Sequence, residues 1–96
     1  MKKYQLVYAP VVFNDLKEAV TYYNKQSPGF GNRFLTDFNL TCKSIELNPF
    51  FASIKYKQVR CAAFKRFPFS VHYAVNKKLA TVVIIAVFNT WKKPLW

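Results

Sequence analysis

Glycine and acid are the scarce residues of this chain: of 96 residues two are glycine, four are acidic, two are cysteine and one is histidine. Two glycines exclude a glycine-rich phosphate loop or a dinucleotide fingerprint, each of which needs several at fixed spacing. Four carboxylates (Asp15, Glu18, Asp37 and Glu46) leave almost no material for the usual metal and glycosidase sites. HExxH, CxxC and the nucleophile elbow are absent, so no metal or cofactor is expected. Cys42 and Cys61 lack metal-ligand spacing and read as reduced packing thiols, a disulfide between them being the other possibility. No stretch approaches the roughly 18 apolar residues a membrane span needs. The N-terminal run MKKYQLVYAPVVFND is broken at Gln5 and Pro10 and has no small-residue cleavage site. A cytoplasmic chain with no membrane partner is the expectation.

What is abundant is apolar and cationic. A hydrophobic fraction of 52% and an aromatic fraction of 19% argue for one packed domain over residues 1–96, not for disorder. The formal net charge is +11, and it is unevenly placed. All four acids precede residue 47, while Lys55, Lys57, Arg60, Lys65, Arg66, Lys77, Lys78, Lys92 and Lys93 follow with no acid among them. Such a field attracts polyanions: nucleic acid or an acidic protein segment.

Tyr4, Leu6 and Tyr8 alternate with Gln5 and Val7 as a first strand, which Pro10 stops. Phe13, Leu16, Val20 and Tyr23 recur at three- and four-residue spacing and predict a helix over residues 11–26, with Asp15 and Glu18 near its start suiting the helix dipole. Ser27-Pro28-Gly29 is a turn, and a second helix over 30–47 carries Phe34, Phe38, Thr41, Cys42 and Ile45 on one side. So short a connection makes an antiparallel hairpin. Residues 50–55 read as a loop. Two strand-like runs follow within YKQVRCAAFKRFPFSVHY, joined by the basic corner Lys65-Arg66-Phe67-Pro68, then a turn at 76–79 and a last strand, TVVIIAVF, apolar on both faces and therefore interior. The predicted fold is α+β, in the order β-α-α-β-β-β, with the helical hairpin on one face of a four-stranded, largely antiparallel sheet. The other face is expected to stay open and to receive Arg60, Ser70 and His72.

His72 is the one side chain whose ordinary pKa lies near neutrality, and it is either a general acid or base for attack of a ribose hydroxyl on phosphate or a hydrogen-bonded strand histidine. Arg60, between apolar neighbours in VRC, calls for an anionic partner or for an acid of the helices. Phe64, Phe67 and Phe69 near the corner also permit a third reading, a basic nucleic-acid-binding module that stacks bases.

Four segments in order, DLKEAVTYYNKQSPGFGNRF, SIELNPF, VRCAAFKRFPFSVHYAV and VVIIAVFNTWKKPLW, together resemble the RelE/ParE-type toxins of bacterial type II toxin–antitoxin systems over nearly the whole chain. The resemblance implies the same α+β sheet and a cognate antitoxin with an acidic segment. It also implies one of two activities: inhibition of DNA gyrase by ParE-like members, or ribosome-dependent mRNA cleavage by RelE-like ones. Where RelE-like members carry an arginine after the aromatic that opens the third strand, this chain has Ser70, and where they carry a C-terminal tyrosine it has Trp96. The His-x-x-Arg pattern that closes many members is matched by Asn89 and Lys92, of which asparagine exchanges no proton and lysine lacks the guanidinium fork. These replacements favour the ParE-like, plasmid-stabilisation branch. Arg60, Lys65, Arg66, Phe67, Ser70, His72, Asn89, Lys92 and Lys93 are the expected target- or antitoxin-binding set, and His72, Arg60 and Lys92 the catalytic set of a nuclease.

Overall fold

In the computed structural model, which describes residues 3–91, the element order is β1 (Gln5–Tyr8), α1 (Val11–Gln26), α2 (Phe30–Leu47), β2 (Ile54–Tyr56), β3 (Val59–Ala63), β4 (Phe69–Asn76) and β5 (Thr81–Asn89). The strands form one sheet in the order β1-β5-β4-β3-β2, with β1 parallel to β5 and the other pairs antiparallel. The sheet thus has five strands where four were expected. The additional one, β2, is a three-residue edge strand on β3, within and just beyond the stretch read as a loop.

Both helices begin without a side-chain cap. Pro10 starts α1 with φ −55°, already helical, while the amide of Ala9 bonds to the carbonyl of Ile84 and ties the helix start to the sheet. Gly29 precedes α2 at φ +86°, a left-handed conformation that a side chain would strain. Two residues on, Gly31 lets the helices close up: a Cβ there would lie 2.8 Å from Val20 Cγ1, and its amide donates to Asn24 Oδ1 at 2.9 Å. The hairpin therefore meets the sheet as one apolar surface.

Phe34, Ile45, Val12, Val71, Tyr73, Val82 and Ile84 are the largest fully buried side chains, and they lie between the hairpin and the sheet. Cross-strand partners share a face, so the pairings Tyr73 with Ile84 and Val71 with Val87 mark the hairpin side of β4 and β5. A register shift between His72 and Tyr73 lets both strands keep their apolar residues on this side across the irregularity.

Candidate functional site

The corner between β3 and β4 is organised by which of its side chains go in. Phe64 lies 5.2 Å from Phe34, Phe67 lies 4.8 Å from Tyr23 and Phe69 lies 4.8 Å from Phe34, ring centre to ring centre, so three corner aromatics are consumed by the core. The third reading of the sequence required those rings to stack on bases. Phe64 and Phe67 are buried instead, and Phe69 packs edge-on against the hairpin. With Phe64 and Phe67 turned inward, the intervening Lys65 and Arg66 are exposed.

A carboxylate fixes this arrangement from beneath. Asp37, in the middle of α2 and 3% exposed, accepts the backbone amides of Lys65 at 3.1 Å, Arg66 at 2.8 Å and Phe67 at 3.0 Å. Three amides around one carboxylate satisfy its lone pairs without using either neighbouring cation. Asp15 is used similarly, accepting the amide of Val87 at 3.0 Å across 72 residues of sequence. Glu46 pairs with Lys43 at 3.1 Å, which is the one ion pair among the described residues. Two of the four acids are thus spent on backbone amides of the second half and a third on Lys43, and no acid among the described residues pairs with the side chain of Lys65 or Arg66.

A groove of about 1450 Å³ runs past the corner, with Arg33, Lys65 and Arg66 among its cations, Tyr22 and Trp91 among its exposed aromatics, and Glu18 as its exposed acid. Phe67 and Asn89 line it too. Asn89 Oδ1 accepts the amide of Trp91 at 2.9 Å, closing the turn after β5, a use that requires an acceptor but no proton exchange. Lys65, Arg66, Phe67 and Asn89 are thus brought to one groove. Lys92, Lys93 and Trp96 lie outside the described residues.

The remaining expected residues go elsewhere. Arg60 pairs with Tyr73 across β3 and β4, which puts it on the hairpin side and not on the open face. Its Nη1 donates to the carbonyls of Ala52 at 2.6 Å and Phe50 at 3.4 Å, and its guanidinium sits 5.2 Å from the Phe50 ring centre. Neither an exposed anion site nor an acid of the helices claims it. Arg60 braces the segment between α2 and β2, together with the Tyr73 hydroxyl, which donates to the carbonyl of Pro49 at 2.8 Å.

Ser70 and His72 do lie on the face away from the hairpin, but their immediate surroundings are not cationic. Register places Cys61, Ala63, Ala86 and Phe88 beside them, all uncharged side chains. Ser70 is 8% exposed and His72 2%. The imidazole stacks on Phe88 at 5.4 Å and its Nδ1 meets the Tyr56 hydroxyl at 3.2 Å. Burial pushes its pKa below the ordinary histidine value, with the charge of Asp15 opposing in part, so the ring is neutral near pH 7. The expectation of an open cationic face that receives Arg60, Ser70 and His72 is corrected: Arg60 is on the hairpin side, Ser70 and His72 are buried, and Lys65 and Arg66 are exposed at the corner at the end of the sheet.

The sequence reading missed Asp37 because it was left off the side of α2 that carries Phe34, Phe38, Thr41, Cys42 and Ile45. The signal was present, since Asp37 follows Phe34 by three and precedes Thr41 by four, which sets it on the buried stripe. Among the described residues no group of three His, Cys, Asp or Glu is placed to hold a metal ion, and no helix is long and apolar enough to cross a membrane.

The fold is a helical hairpin following an N-terminal strand, laid on one face of a mixed sheet whose last four strands are antiparallel neighbours. Among solved structures the chain is similar to a chain of the chromosomal ParDE TA system from P. aeruginosa, with TM-score 0.78 and 18% identity over 91% of this chain and 96% of that one. It is similar as well to a chain of the toxin-antitoxin complex RelBE2 from Mycobacterium tuberculosis, with TM-score 0.58 and 16% identity over 92% of this chain and 99% of that one. At these identities the likeness is one of fold. No protein-family model matches the chain, and no curated protein matches it.

Proposed function

We propose that this protein is the toxin of a type II toxin–antitoxin system of the ParE-like, plasmid-stabilising kind, acting in the cytoplasm. It arrests growth by binding an essential target such as DNA gyrase and is neutralised by a cognate antitoxin whose acidic segment lies against the Lys65–Arg66 corner. The observation that carries this reading is the fate of the acids. Asp15 and Asp37 are taken by backbone amides and Glu46 by Lys43, so no acid among the described residues pairs with the Lys65 or Arg66 side chain, and both are left for a partner. The fold shared with a chain of the ParDE system supports the same reading.

The test is expression in a sensitive host, with and without the product of the adjacent reading frame. Growth arrest that the neighbour relieves is the expected result, accompanied by a complex that survives purification. Lack of arrest, or of any stable complex with that product, removes the proposal.

The likeness to a chain of the RelBE2 complex makes a RelE-like mRNA interferase the second reading. It needs Arg60, His72 and Lys92 to reach a phosphodiester, yet Arg60 is bonded to two carbonyls and His72 is buried. Primer extension on translated messages during growth arrest separates the two: new cleavage sites favour the interferase, and an unchanged pattern favours the gyrase-directed binder.

A further inference from the structure

The two exposed cations of the corner are held by a group that never touches them in the described hydrogen bonds. Successive backbone amides turned toward one point make a concave anion site. The amides of Lys65, Arg66 and Phe67 do so here, and the Asp37 carboxylate fills the concavity from the α2 side with three bonds of 2.8–3.1 Å. The geometry has two consequences. The amides are already satisfied, so an incoming carboxylate or phosphate engages side chains at the corner, those of Lys65 and Arg66, with Arg33 in the same groove. The anchoring of residues 65–67 to α2, reinforced by the inward rings of Phe64 and Phe67, also fixes where those side chains leave the backbone.

We infer that Asp37 is a positioning residue for partner recognition. By occupying the amide concavity of the corner it directs Lys65 and Arg66 outward and makes recognition of the acidic partner at the corner a matter of side chains and not of backbone amides. The inference rests on the proposed antitoxin-binding role of the corner. It adds that a buried acid, of the same charge as the partner, is required for binding it.

The experiment is a double-mutant cycle on the full chain, with poly-L-glutamate as the probe and dissociation constants measured at two salt concentrations. Wild type, Asp37→Asn, the Lys65→Ala/Arg66→Ala double variant and the combined triple variant are compared. An amide side chain at position 37 offers one acceptor and turns a donor toward amides that also donate, so the corner loosens. Asp37→Asn is expected to weaken binding roughly tenfold and to reduce its salt dependence, and to have no further effect once Lys65 and Arg66 are gone. An equal loss in both backgrounds, or no loss in a folded Asp37→Asn protein, overturns the inference, because a merely structural acid would not couple to those two side chains. If Asp37→Asn does not fold, hydrogen exchange of the wild type decides: amides 65–67 should exchange far more slowly than those of the exposed turn at 77–79, and equal rates overturn the inference. Absence of salt-sensitive probe binding by the wild type would remove the polyanion site and this inference with it. Growth rescue by the neighbouring gene product would still report separately on the proposed function.

Discussion

Replacing Arg60 with alanine separates a brace from a partner contact. In the structure Arg60 makes one short charged hydrogen bond, 2.6 Å to the Ala52 carbonyl, a longer one of 3.4 Å to Phe50 and a cation–π contact with the Phe50 ring. A hydrogen bond to a charged group contributes about 1.5–3 kcal/mol. The cation–π contact, at a partly exposed site, adds about 0.5–1 kcal/mol, and the longer bond adds little. Truncation should therefore cost about 2–4 kcal/mol, and for a domain of this size each kcal/mol moves Tm by about 4–8 °C. Arg60→Ala is expected to melt at least about 8 °C below wild type by circular dichroism. Arg60→Lys should recover less than half of that, since an ammonium offers no planar face to Phe50. The reasoning fails if Arg60→Ala keeps its Tm within about 2 °C while losing its partner, because the guanidinium would then be serving recognition and not the segment between α2 and β2.

Three further perturbations follow from the same contacts. Burial pushes the Cys42 thiol up to about 12, so iodoacetamide at pH 8 should leave it unmodified in the native protein and label the half-buried Cys61 first; peptide mass mapping checks the order, and urea should abolish it. Phe34 is fully buried and its ring meets those of Tyr23, Phe64, Phe67 and Phe69, so Phe34→Ala should cost about 3–5 kcal/mol and leave little folded protein at 37 °C, as read by near-ultraviolet circular dichroism. For His72 the folded pKa lies below the unfolded value of about 6.5, so its contribution is fully present above that unfolded value and is lost as the pH falls from there through the folded pKa. Urea midpoints measured between about pH 7.5 and pH 5 should fall more steeply for wild type than for His72→Gln, and equal slopes would contradict the assignment.

The helices were legible because their evidence is local. Apolar spacing, Pro10 and the Ser27-Pro28-Gly29 turn sufficed to predict α1 over residues 11–26 and α2 over 30–47, and the structure has both at those limits. β5 was recognisable from its doubly apolar run, and it does lie between two neighbours. β2 was missed because three residues on a sheet edge show no period, and FFASI before it reads as loop. The harder failure was Arg60. Alternation correctly separates Val59, Cys61 and Ala63 from Arg60, Ala62 and Phe64, but only the pairing of Arg60 with Tyr73 says which set meets the hairpin. It is the set containing the arginine, whose head escapes the core by bonding to backbone carbonyls at the margin. His72 was placed on the correct face, yet its burial depends on Tyr56 and Phe88, residues 16 away in each direction along the sequence.

The charge imbalance and the stability of the fold have a common cause. A carboxylate that accepts backbone amides stabilises a turn and keeps its charge, but its lone pairs are then spent on the backbone and not on a cationic side chain. Asp37 holds the β3–β4 corner and Asp15 holds β5 to α1 in this way, across sequence separations that no helix or hairpin spans by itself. Had either acid been placed beside Lys65 or Arg66, it would have contributed only about 0–1 kcal/mol as an exposed pair. On backbone amides each aids folding, and no acid among the described residues pairs with the Lys65 or Arg66 side chain. A chain with four acids cannot satisfy both demands, and the two aspartates fall on the side of the fold. That the Lys65 and Arg66 side chains have no paired acid among the described residues is therefore a consequence of how the chain is held together.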